Sequence, residues 1–70
     1  MSRYLIVIER EGQSWGAYAP DLPGLGVVAS TREEVEKLAV EAVAQHAALL
    51  RELGQPVPLP QAEIAYFGVA

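Results

Sequence analysis

The stretch from Thr31 to Gly54 is the only long helical pattern in this 70-residue chain, and the remaining segments must be arranged to cover it. Thr31-Arg32-Glu33-Glu34 reads as a capping box, in which the Thr31 hydroxyl accepts from the Glu34 amide and the Glu34 carboxylate reaches back to the Thr31 amide. Glu33 and Glu34 also suit the positive end of a helix. Gly54 follows Leu53 as the expected residue just past the helix end. The helix is then ~22 residues, about 33 Å long at 1.5 Å per residue. At 100° intervals Val35, Leu38, Ala39, Ala42, Val43, His46, Leu49, Leu50 and Leu53 form one apolar face, with Glu34, Lys37, Glu41, Gln45, Arg51 and Glu52 opposite.

The flanking segments read as strands. Tyr4 to Glu9 alternates Tyr4, Ile6 and Ile8 on one face with Leu5, Val7 and Glu9 on the other. Both faces are largely apolar, which suits a strand covered on two sides. Glu11-Gly12-Gln13-Ser14 is a turn, and Trp15 to Ala19 is a second strand, so the two form an antiparallel hairpin. Trp15, Ala17 and Ala19 share one face; Gly16 and Tyr18 share the other. A glycine inside a strand predicts a bulge or a close approach at Gly16. A third short strand covers Gly26 to Ala29. After the helix, Pro56, Pro58 and Pro60 make an extended connector, and Ala62 to Gly68 reads as a fourth strand.

Between the second and third strands stands Pro20-Asp21-Leu22-Pro23-Gly24. Two prolines and a glycine in five residues cannot continue a strand or enter a helix. Asp21 can close a turn through its side chain, and Gly24 can take a positive φ.

The order strand, strand, strand, helix, strand is a single domain over residues 1–70 of the α/β (α+β) class. A right-handed helical crossover lays strand four parallel to strand one, giving a four-stranded mixed sheet with one long helix on one face. The apolar pattern on both faces of strands one and four then leaves one sheet face for a partner subunit to cover. So small a chain, with no cysteine and a single histidine, has neither disulfides nor a thiolate or histidine metal cluster to support its core. A homodimer or higher oligomer is the expected remedy.

Five scattered basic residues and a net charge of −4 argue against direct nucleic-acid binding. The same charge suits a basic protein partner, although it also serves plain solubility. No apolar run approaches the ~20 residues of a membrane span, and Met1-Ser2-Arg3 leads into a strand without a signal-peptide core. These readings place the chain in the cytoplasm and away from the membrane. No catalytic constellation, cofactor site or metal site emerges. Asp21 is the only aspartate, whereas two-metal nuclease chemistry gathers several carboxylates. His46 sits in the apolar helical stripe and reads as a core or interface residue.

Taken in order, the apolar Tyr4–Glu9 strand, Trp15 and Tyr18, Pro20-Asp21-Leu22-Pro23-Gly24, the helix opened by Thr31-Arg32-Glu33-Glu34 with Ala39, Glu41 and Ala42, and the closing Gly54 and Pro56/Pro58/Pro60 run resemble the HicB-like antitoxin domain of toxin–antitoxin systems. The resemblance covers nearly the whole chain. It implies a partial ribonuclease-H-like fold and a non-enzymatic role: binding a small basic ribonuclease toxin, HicA-like, and masking its catalytic histidine. Longer members add a C-terminal DNA-binding domain; here Ala70 follows the fourth strand, so such a domain is not expected. Ala29-Ser30 also stands where the family often has Gly-Asp before the capping Thr. Trp15, Tyr18, Asp21, Leu22, Pro23 and Gly24 are the candidate partner-binding residues, although Trp15 at the hairpin end reads equally as core and Asp21 reads rather more readily as a turn cap. The competing reading is a self-associating structural or regulatory domain without a toxin partner.

Overall fold

The computed structural model describes residues 3–69. Met1, Ser2 and Ala70, which the single-domain reading includes, lie outside the described residues. Three strands precede one helix: β1 (Val7–Glu11), β2 (Ser14–Tyr18), β3 (Gly26–Ala29) and α1 (Arg32–Glu52). The sheet is antiparallel throughout, in the order β1-β2-β3. The α+β class and the first four elements therefore agree with the sequence reading. The first strand forms its ladder later than its apolar pattern begins, leaving Tyr4 to Ile6 outside the ladder.

The β1–β2 turn places Gly12 at φ 61 with Gln13 at negative φ, the φ signature of a type II′ hairpin turn, which needs glycine at its first central position. The register is regular across all three strands, with Ile8 opposite Ala17 and Ala17 opposite Val27. Gly16 forms no bulge. It pairs with Glu9 and Val28, and a Cβ added there meets its nearest neighbour, the Val27 carbonyl oxygen, at 3.8 Å, an ordinary contact. The expected bulge or tight approach is therefore absent.

Strand alternation divides the sheet. Ile8, Trp15, Ala17, Val27 and Ala29 face the helix, where Ala17, Val35 and Ala39 make the core and Ile6 packs beside them. Thr31 caps the helix, its Oγ accepting from the Glu34 amide at 3.1 Å, which is one of the two bonds a capping box offers. At the other end Gly54, at φ 69, donates to the Arg51 carbonyl and Gln55 donates to that of Leu50. This pair of bonds is the Schellman closure that a C′ glycine permits.

The helix outruns the sheet. Twenty-one residues span about 31 Å, against about 17 Å for a five-residue strand. Leu38, Leu49 and Leu53, expected on the buried face, stay exposed, while Ala47 is buried instead. The overhang is covered from the side on which Tyr4, Val57 and Pro58 line a groove with Val43 and Ala47. The Tyr4 hydroxyl donates to the Pro58 carbonyl and ties the start of the chain to the proline segment.

The fourth strand and the four-stranded mixed sheet are not found. Ala62 to Gly68 has no ladder partner among the described residues, so the ribonuclease-H-like arrangement is not shown there. Residues 63–66 do run beside β1, sharing a groove with Leu5 to Ile8. The helix, however, lies over β2 and β3 more than over β1. A strand added at the β1 edge would lie on the side of the sheet that the helix covers least.

Candidate functional site

The loop between β2 and β3 is two consecutive turns. The Leu22 amide donates to the Ala19 carbonyl at 3.0 Å, and the Leu25 amide donates to the Leu22 carbonyl at 3.2 Å. Pro20 occupies the second position of the first turn, where a fixed φ is favourable. Pro23 and Gly24 are the central pair of the second, and Gly24 at φ 85 meets the type II requirement for a positive φ at its third position.

The turns point their residues in different directions. Leu22 is 0% exposed and, with Val35, is one of the two largest fully buried side chains. Asp21 is half-buried, and its Oδ2 accepts from two consecutive backbone amides, Gln61 at 3.0 Å and Ala62 at 2.9 Å. A carboxylate oxygen shared by two N–H groups is a charge-assisted anchor, and here it fixes where the C-terminal segment begins. Pro23 and Gly24 are exposed.

The six candidate partner-binding residues consequently do not form one surface. Trp15 faces the helix and packs on the core, with the Arg10 guanidinium 5.9 Å from its ring centroid. Tyr18 faces the opposite side and is 43% exposed. Leu22 is interior and Asp21 is occupied within the chain. Tyr18, Pro23 and Gly24 remain at the surface.

The sheet face away from the helix has the better makings of a docking surface. Register puts Val7, Tyr18 and Gly26 in one row and Glu9, Gly16 and Val28 in the next, with Glu11 and Ser14 beyond. Val28, on the edge strand β3, is 71% exposed. Gly16 and Gly26 lack side chains on this face, so a shallow dip opens between Tyr18, Val28, Glu9 and Glu11. Apolar floor with a carboxylate rim is chemistry for a long basic side chain, whose stem packs while its head pairs. Sequence reading had separated the two faces of β2, but it had not shown that Glu9, Glu11, Tyr18 and Val28 meet. The cross-strand register that brings them together is the missing signal.

Among the described residues, no three His, Cys, Asp or Glu side chains gather in a way that could hold a metal ion, and no helix is long and apolar enough to cross a membrane. His46 is half-buried on the helix.

A family described as HicB-like antitoxin of bacterial toxin–antitoxin systems matches residues 4–67, nearly the full length. The chain belongs to the HicB-like antitoxin family. No curated protein and no solved structure matches it significantly. Within this family member, the Pro-Asp-Leu-Pro-Gly stretch that carries the resemblance has a physical explanation: Leu22 fills the core and Asp21 holds the segment that follows the helix.

Proposed function

We infer that this protein is a non-enzymatic, cytoplasmic antitoxin that binds a small basic ribonuclease of the HicA-like class and masks it. The observation that carries the reading is the family match over residues 4–67. Its physical support is the uncovered sheet face, where exposed Tyr18 and Val28 lie beside Glu9 and Glu11. A partner's Lys or Arg would find both apolar surface and carboxylates there, and the net charge of −4 would speed the encounter. Masking of this kind needs only that a partner's functional surface be covered, with no bond made or broken. Pro23 and Gly24, on the adjoining loop, extend the proposed contact region.

The test is co-expression with a HicA-like small basic protein from the same genome. The expected results are relief of growth arrest and co-purification of a stoichiometric complex. If such a protein arrests growth, but neither rescue nor a complex is observed, the antitoxin reading is wrong.

A further inference from the structure

Glu11 and Ser14 close the β1–β2 hairpin as a hydrogen-bonded pair, and in an antiparallel ladder bonded and non-bonded pairs alternate from there. Glu9–Gly16 and Val7–Tyr18 are therefore bonded pairs, and Trp15 and Ala17 turn their amides and carbonyls the other way, to Ala29 and Val27. The Val27 carbonyl beside Gly16 and the Ala17 carbonyl beside Gly26 agree with this phase. Gly26 and Val28 consequently aim their N–H and C=O groups outward, off the far side of β3. The two sheet edges differ in their protection. β1 carries Glu9, Arg10 and Glu11, and residues 63–66 share a groove with its start. β3 reads Gly26-Val27-Val28-Ala29, with none of the charges or prolines that keep a strand edge from pairing. One flank of the helix stands over that edge. Val43 and Ala47 face Tyr4 and the proline segment on the β1 side. Leu38 lies about 140–180° around the helix from them, on the β3 side, and is 41% exposed. Glu34, Leu38, Glu41 and Gln45, at i, i+4, i+7 and i+11, make one row along this flank. The one ion pair among the described residues joins Arg32 to Glu36 and involves neither Glu34 nor Glu41.

We propose that, given the antitoxin role inferred above, the outer edge of β3 receives one strand of the basic protein partner, which extends the sheet across the interface. Gly26 and Val28 each present one donor and one acceptor, spaced for an extended chain. Alternate side chains of the added strand lie beneath Leu38 on the helix side and beside Val28 on the open face, so both of its faces meet apolar surface. The acidic row selects a basic occupant. Lys or Arg flanking the apolar positions of that strand meets Glu34 and Glu41 on one side of the sheet and the Glu9 and Glu11 face on the other. A second copy of this chain is disfavoured by the same charges. Two-fold pairing of β3 with β3 would set the two helix flanks face to face, Glu34 and Glu41 against their own copies, on chains that each carry a net charge of −4.

Amide hydrogen exchange on the full chain, free and saturated with a small basic HicA-like protein from the same genome, tests this. Complex formation is expected to slow exchange at the Gly26 and Val28 amides by about tenfold or more. Val28→Pro removes one outward N–H at a position where an edge strand accepts proline, and it is expected to weaken the complex about tenfold or more. Val28→Thr keeps that amide and the branched shape, and is expected to bind within about threefold of wild type. Circular dichroism checks that Val28→Pro is folded, and the exchange measurement on the wild-type chain decides the matter if it is not. A complex that leaves both amides exchanging as in the free chain, or one that a folded Val28→Pro forms as tightly as wild type, overturns the proposal and leaves the antitoxin reading standing. Absence of any complex overturns both. Protection of the two amides in the free chain that rises with its concentration gives the edge to a second copy and likewise overturns the proposal.

Discussion

Asp21 and Ala62 stand forty-one positions apart, yet one carboxylate oxygen of Asp21 receives the Ala62 amide at 2.9 Å and the Gln61 amide at 3.0 Å. The bond joins the β2–β3 loop to the chain that leaves the helix. Removing it frees the C-terminal segment and leaves two amides without their acceptor. Asp21→Ala is expected to lower stability toward the lower end of the ~1.5–3 kcal/mol of a hydrogen bond to a charged group, because the carboxylate is only half-buried. Asp21→Asn keeps one acceptor oxygen and should lose less. Urea denaturation measures the first effect, and faster hydrogen exchange at the Gln61 and Ala62 amides would locate it.

Leu22 is the second residue of consequence in the same loop. It is fully buried, and truncation to Ala removes core volume that no neighbour can refill without the turns shifting. The expected cost is about 2–5 kcal/mol. For a chain of this length total stability is on the order of 4–10 kcal/mol, so Leu22→Ala should melt far below the wild type or not fold at 37 °C. A thermal transition unchanged by this substitution would contradict the assigned burial.

Two glycines should respond in opposite ways. Gly24 sits at φ 85, and an alanine there pays about 1–2 kcal/mol for the left-handed region. Gly16 has no positive φ and has room for a Cβ, so Gly16→Ala should be neutral or stabilise by about 0.4–1 kcal/mol through the unfolded chain. Parallel melting curves of the two variants check the contrast.

Trp15 and Tyr18 separate folding from binding. Trp15 packs on the helix-facing core, so Trp15→Ala should cost stability, approaching the ~3–5 kcal/mol of a fully buried aromatic. Tyr18 stands on the open face, and Tyr18→Ala should leave the fold closer to wild type while weakening a toxin complex by about tenfold or more if it acts as an interface anchor. Calorimetric titration with a small basic HicA-like protein reads the second effect. Equal binding by wild type and Tyr18→Ala would remove this face from the proposed interface.

Much of the local structure was legible from adjacent residues. Thr31 and Glu34 announced the helix start, Gly54 its end, and Pro23-Gly24 a turn that needs a positive φ. Each of these depends on chemistry within a few positions, which is why it survived intact. The apolar stripe was legible only in outline. Its period is correct, but Leu49 and Leu53 are exposed because a helix longer than the strands beneath it cannot bury its whole face, and Leu38, beside the buried Val35 and Ala39, falls on the flank of the stripe. The candidate site was least legible. Trp15 and Tyr18 lie three apart on one strand and therefore face opposite ways, and Leu22 turned inward where a surface role was expected.

The sequence alone determined the order and type of the first four elements, the caps that delimit the helix, and the absence of disulfide chemistry, because propensity, capping and composition act over short distances. Only the tertiary structure decided that Asp21 clasps residues forty positions away, that Glu9, Glu11, Tyr18 and Val28 share one open face, and that residues 62–68 have no ladder partner among the described residues. Those outcomes depend on register and on where the helix lies across the sheet, and a strand pattern specifies its own alternation without specifying the edge it will meet.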